Sequence, residues 1–194
     1  MNYLQTNIDI SHLSNFKTKA FTKYYFEINN FDDISKLKEI YDFANNNNLW
    51  FLIVWGWTNL LFAFSEFNWV IIKNNLKWFS YDNSTKILEI STSESISDIS
   101  KTLETDLNND LWHRFIWLPG SVWWAVFWNA WCFWLETENN FLSCRVYSLT
   151  TWEIIILDKQ NMNFLYRDSF IKQNPEYFII DVKFDLSTKI EKYS

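Results

Sequence analysis

The sequence predicts an α+β protein (α/β mixed) in two lobes, residues 1–75 and 76–194, and three observations carry that expectation. The first lobe holds a strand, helix, strand succession. The second is dominated by short runs rich in β-branched and aromatic residues, parted by turns rich in Asn, Ser and Asp. At 194 residues the chain can bury a sizeable core as one domain or as two small lobes.

The elements follow in order. Residues 22–28 are rich in Tyr and Phe and read as a strand. Residues 31–47 carry Ile34, Leu37, Ile40, Tyr41 and Ala44 at helical spacing; Asp32 or Asp33 caps this helix, and the four asparagines 45–48 stop it. Residues 51–54 form a short buried strand, so a βαβ unit precedes the first loop of interest. Residues 69–73, 76–81 and 86–91 read as three strands. Residues 95–107 read as a helix, with Ile96, Ile99, Leu103 and Leu107 on one face. Pro119-Gly120 makes a rigid turn, and Ser121 caps the helix that follows. Runs 141–148, 152–157, 163–166 and 177–186 complete a strand-rich second lobe.

Net charge is −6, and Lys and Arg are scattered, which argues against a nucleic-acid partner. Two cysteines, Cys132 and Cys144, make neither a disulfide framework nor a metal site and read as small buried hydrophobes in a reducing cytoplasm. Residues 1–19 are polar and mixed, unlike a signal peptide. His12 and His113 form no triad with either cysteine. Glu66, Glu136 and Glu138 read as solvated.

Residues 115–135 carry no charge over 21 positions and hold six of the chain's 13 tryptophans. By length alone the stretch would cross a bilayer, yet it contains Pro119, Gly120, Ser121 and Asn129. The whole chain has only two glycines, where an ordinary domain has about 7%. The tryptophans also stand where glycine is expected. Trp55 and Trp57 flank Gly56 after an apolar run, Trp123-Trp124 follow Pro119-Gly120-Ser121, and Trp152 follows Thr151 in a turn. A gene that uses UGA for glycine, translated with UGA as tryptophan, yields this pattern. With glycine restored, both apolar stretches become glycine-rich loops leading into short helices, and no membrane span is expected. The competing reading is a true Trp-rich binding or membrane-surface protein.

With that substitution the chain resembles UDP-N-acetylenolpyruvoylglucosamine reductase, the flavoenzyme that completes UDP-N-acetylmuramate in peptidoglycan synthesis. Val54-Trp55-Gly56-Trp57-Thr58-Asn59-Leu60-Leu61 resembles the family's G-G-G-[ST]-N-L-L loop. Leu118-Pro119-Gly120-Ser121-Val122-Trp123-Trp124-Ala125-Val126, continuing to Asn129-Ala130-Trp131, resembles I-P-G-[ST]-V-G-G-A…N-A-G. Tyr166-Arg167-Asp168-Ser169 resembles Y-R-D-S, Trp152-Glu153 a turn dipeptide G-E, and Ser14-Asn15-Phe16-Lys17-Thr18, imperfectly, an opening N-T-F-K. One glycine loop is weak support; three motifs in order over almost the whole chain are specific.

The resemblance implies a two-lobed FAD-binding fold of the PCMH/vanillyl-alcohol-oxidase type, whose two loops clasp FAD through Val54 to Leu60, Leu118 to Ala125, and Asn129 and Ala130. Asn129 reads equally well as a turn residue. A loop without side chains lets backbone N–H groups approach a diphosphate, whereas tryptophan at Trp55 and Trp57 would fill the space. NADPH would be the hydride donor and UDP-N-acetylglucosamine enolpyruvate the substrate. Arg167 would stabilise charge building on the substrate carboxylate, and Tyr166 would shape the substrate site; without the other motifs, Arg167 reads as a partner of Asp168 or of another carboxylate on a surface strand. The family's proton-donating serine and its catalytic glutamate have no match here, so the 194 residues are expected to bind FAD without completing the reduction. A cytoplasmic monomer is expected. Another flavoprotein oxidase of the same fold, tethering flavin through His or Cys, is the nearer alternative.

Overall fold

The computed structural model describes residues 1–55 and 60–188. The chain forms two units, Met1–Leu76 and Lys77–Ser194.

The first unit is a four-stranded sheet of β1 (Gln5–Asp9), β2 (Phe21–Ile28), β3 (Trp50–Val54) and β4 (Glu66–Asn74), in the order β1-β2-β4-β3. β2 and β3 both run parallel to β4, while β1 is antiparallel to β2. β4 lies inside the sheet, and its Val70, Ile71 and Ile72 are fully buried. β3 is an edge strand and not the buried strand its apolar run suggests, with Trp50 72% exposed. The expected long helix is broken: 3-10 turns at Phe31–Lys36 lead into α1 (Leu37–Asn46). Asn30, not Asp32 or Asp33, is the N-cap. Its side chain accepts the Asp33 N–H, and the Asp33 carboxylate accepts the Asn30 N–H in return, a reciprocal capping box. α1 buries Leu37, Ile40 and Ala44, and Asn48 at φ +52 turns the chain toward β3.

The second unit is an antiparallel sheet of β5 (Phe79–Asp82), β6 (Ile87–Ser91), β9 (Phe141–Ser148), β10 (Ile154–Asp158) and β11 (Tyr177–Asp185), in the order β10-β9-β11-β6-β5. Between β6 and β9 come α2 (Ile96–Thr105), α3 (Val122–Phe127) and a small hairpin, β7 (Trp131–Cys132) with β8 (Leu135–Glu136). Two four-residue helices, α4 (Lys159–Met162) and α5 (Phe170–Gln173), join β10 to β11. The expected strand at 163–166 is not formed; only Leu165 and Asp168 bridge to each other. The core gathers Ile96, Ile99 and Leu103 of α2 with Trp112, Phe115 and the sheet residues Val146, Ile179 and Phe184. Trp112 is fully buried, its ring 4.7 Å from Phe184, and its Nε1–H donates to Asn140 Oδ1 at 3.3 Å.

The charge-free stretch is not a span. It divides into 3-10 turns at His113–Trp117, α3 and the β7–β8 hairpin. Among the described residues no helix is long and apolar enough to cross a membrane.

Candidate functional site

Each of the two loops marked by the sequence is built within its own unit. In the first, β3 delivers Val54 and Trp55, both buried; Gly56, Trp57, Thr58 and Asn59 lie outside the described residues. The Trp55 carbonyl accepts a hydrogen bond from the ammonium of Lys73 on β4. Lys73 is only 6% exposed, and a buried ammonium requires acceptors, so Trp55 is fixed from beneath. Beyond the loop, Ser14 Oγ donates to the Leu60 carbonyl and Thr18 Oγ1 to the Phe62 carbonyl at 3.0 Å. The opening segment therefore clamps the exit of the loop. Sequence reasoning gave Lys73 no role, because a lysine at the end of an apolar strand reads as solvated.

In the second unit, residues 118–125 are stitched onto residues 92–96. The Ile96 N–H donates to Gly120 O (3.1 Å), Val122 N–H to Glu94 O (2.9 Å) and Trp123 N–H to Thr92 O (3.0 Å), with Ser95 and Ser121 forming an antiparallel bridge. Ser121 caps α3, its Oγ accepting the Trp124 N–H at 3.3 Å, while its carbonyl accepts the Ala125 N–H at 3.1 Å. Four successive amides, Val122 to Ala125, are thus engaged within the protein. Among the described residues, the Gly120 and Ser121 amides have no protein acceptor. Gly120 sits at φ +142, and a Cβ there would come 3.3 Å from the Trp124 ring; only glycine suits this point. Thr92 and Glu94 carry no sequence signal for this role, since they act through backbone carbonyls. Burial raises the Glu94 carboxyl above its ordinary value.

Asn129 closes the other end of α3. It is 2% exposed and held at φ +41. Its amide nitrogen donates to Glu136 Oε2 (3.1 Å) and to the Leu165 carbonyl (3.2 Å), and its oxygen accepts the Glu138 N–H (3.0 Å). Glu136 is therefore a half-buried partner of Asn129 and not the solvated side chain expected. Ala130 is fully buried, its carbonyl accepting from Thr137.

The Leu165 bond carries α3 to the third motif. Leu165 and Asp168 exchange two backbone hydrogen bonds of 3.1 Å, so Tyr166-Arg167 is the two-residue tip of a tight turn. Arg167 has φ +56, a left-handed conformation that branched and long side chains rarely adopt. Tyr166 is 81% exposed. Ser169 Oγ donates to Phe127 O at 2.8 Å, pinning the turn to α3 a second time. Asp168 does not pair with Arg167. It takes Gln173 Nε2 at 2.8 Å and Lys172 Nζ at 3.6 Å, and the Gln173 bond, helped by the Ser169 N–H and Lys172, holds its carboxyl below the ordinary value. Among the described residues no carboxylate pairs with Arg167, which leaves its guanidinium available. A six-residue helix is about 9 Å long, so α3 carries the Gly120 turn at one end and, through Asn129, the Arg167 turn at the other. Among the described residues no cluster of His, Cys, Asp and Glu suits a metal.

A small sheet with parallel inner pairings, followed by a larger antiparallel sheet and this loop–helix–turn succession, is the two-lobed fold of the FAD-binding PCMH type. Among solved structures, UDP-N-acetylenolpyruvylglucosamine reductase from Thermus caldophilus superposes with a TM-score of 0.70 at 12% identity, over 96% of this chain and 64% of that one. A BBE-like protein of Physcomitrella patens gives 0.58 at 8% identity, over 94% and 42%. No family model matches the sequence. Curated relatives are more specific. The UDP-N-acetylenolpyruvoylglucosamine reductase of Prochlorococcus marinus is 27% identical over 170 residues, and that of Chlamydia muridarum is 23% identical over 184. They cover 86% and 95% of this chain, which spans 55% and 60% of their lengths. The chain is thus similar over most of its length to UDP-N-acetylenolpyruvoylglucosamine reductases and spans a little over half of each.

Proposed function

We propose that these residues are the FAD-binding part of a UDP-N-acetylenolpyruvoylglucosamine reductase, a monomer working in the cytoplasm on a nucleotide-sugar enolpyruvate. The observation that carries the reading is the tight turn at Tyr166-Arg167, tethered to the far end of the helix that the Gly120 loop begins. It lies in a chain similar to named reductases over most of its length.

The residues present fit an anionic cofactor at one point: the bare backbone of Gly120 beside Ser121, whose two amides lack a protein acceptor among the described residues. FAD, when bound, supplies transfer of a hydride received from NADPH to the enolpyruvyl carbon. Leu118 to Ala125, Asn129 and Ala130, with Val54 to Leu60 of the first unit, would hold it. Glycine in place of Trp55, Trp57, Trp123 and Trp124 would give those loops the bare backbone that close approach to a diphosphate needs. Arg167 would hold the substrate carboxylate and stabilise the negative charge that grows there, and Tyr166 would line the substrate's place.

Titration of FAD into the chain carrying glycine at those four positions, followed by flavin fluorescence, tests the cofactor. Saturable binding is expected, and Gly120→Val should weaken it at least about tenfold, which is a loss of roughly 1.4 kcal/mol. No binding by the glycine form would sink the reading. In a full-length enzyme carrying these residues, Arg167→Ala should leave FAD affinity unchanged and lower turnover by about 10²–10³.

A further inference from the structure

We infer that Trp134 and Trp152 stand where the protein made in its own cells has glycine, whereas Trp112 is a true tryptophan. The argument is one of backbone. Phe133-Trp134 is the two-residue tip of the β7–β8 hairpin, with Cys132 opposite Leu135. Both tip residues have positive φ, +47 and +69. A two-residue hairpin with both φ values positive is a type I′ turn, whose second position is the preserve of glycine in the Asn-Gly and Asp-Gly patterns. Trp152 ends a four-residue reversal between β9 and β10. Its N–H donates to Ser148 O at 2.9 Å, the Ser148 N–H donates to Glu153 O at 2.9 Å, and its φ is +64. A left-handed residue closing a reversal is again the role of glycine.

Among the described residues, eleven other than glycine have positive φ, and five of them are asparagine, which tolerates that region. A bulky side chain such as that of tryptophan is an outlier there. At the hairpin tip Trp134 is 54% exposed, its ring edge-on to that of Trp131 at 5.4 Å. Trp112 is the opposite case: fully buried, ring-packed on Phe115 and Phe184, and hydrogen-bonded to Asn140. The chain therefore contains two kinds of tryptophan. One kind is explained by a codon, UGA, that its cell reads as glycine and a standard reading renders as tryptophan. The consequence for the cofactor loops rests on the function proposed above; the assignment at 134 and 152 does not.

Mass spectrometry of the native protein decides it, on the peptides covering residues 112, 134 and 152. Glycine at 134 and 152 with tryptophan at 112 is expected; tryptophan at 134 or 152, or glycine at 112, overturns the assignment. A second measurement needs no native source. In the chain as written, Trp134→Gly and Trp152→Gly should each raise Tm by about 2–4 °C, and Trp112→Gly should lower it by more than that. A fall in Tm for either turn variant speaks against the inference. Glycine at 134 and 152 without FAD binding by the glycine form would leave this inference standing and remove the proposed function alone.

Discussion

Arg167 is held in a left-handed backbone conformation at the tip of its turn, where a side chain costs about 1–2 kcal/mol relative to glycine. Such strain persists where the surroundings over-determine it, and here the Leu165–Asp168 bonds and the two tethers to α3 do so. Arg167→Gly should therefore raise stability by about 0.5–1 kcal/mol in urea unfolding, allowing for the freer unfolded chain. It would at the same time remove the guanidinium on which the proposed catalysis depends; a loss of stability would show that the side chain supports the turn. Asn129 is the reverse case. Its amide satisfies three partners in a buried place, and Asn129→Ala would leave the Glu138 N–H unmatched and the Leu165 carbonyl with the Asp168 N–H alone, costing about 1–3 kcal/mol in the same assay. The cysteines separate as cleanly. Burial pushes the Cys144 thiol up to about 12, so native alkylation should leave it unmodified, with Cys132, half-buried and bonded to the Arg114 carbonyl, taking the label first; rapid labelling of Cys144 would mean that the second unit opens readily.

At the scale of elements, the capping box before α1 sets a pH dependence. Burial opposes ionisation of Asp33, but Lys36 and the Asn29 and Asn30 N–H groups outweigh it and lower its pKa. A carboxyl depressed in the folded state contributes stability above its unfolded value of about 3.9, and that stability is lost as pH falls through the lower folded value. Asp33→Asn should cost about 1 kcal/mol at neutral pH and much less near pH 3, checked by urea unfolding at both. An equal loss at both would show that the charge plays no part. The same stretch shows what was legible in the sequence and what was not. The apolar spacing over 31–47 marks α1 but not the 3-10 turns ahead of it, since 3-10 geometry carries no distinct spacing, and the capping Asn30 lies outside the spaced run. Residues 22–28, 141–148 and 177–186 announced β2, β9 and β11 through dense β-branched and aromatic content. β1 is polar except for Ile8 and stays silent until β2 pairs with it. α4 and α5, at four residues each, are too short for any period to register, and the apolar 163–166 turns back on itself where a strand was expected.

At the scale of the whole molecule, the three motifs were readable because each combines particular residue types in a fixed order, and Gly120 stands at the positive φ of the second. What could not be read was how the second and third motifs are held within the second unit: Thr92, Glu94 and Leu165 act there through carbonyl oxygens, and a carbonyl leaves no mark on residue type. That joining has a consequence for the energetics of ligand capture. With the Val122 to Ala125 amides bonded to the protein itself, the loop after Pro119 is held by the chain's own carbonyls and the Ser121 hydroxyl. In the proposed binding of FAD, association would then surrender little chain entropy at this point, and affinity would not be reduced by a population of incompetent conformers. Amide hydrogen exchange at Val122 and Trp123 should accordingly be slow in the cofactor-free protein and nearly unchanged on loading, while a loop that must first be organised would gain protection only when the ligand binds.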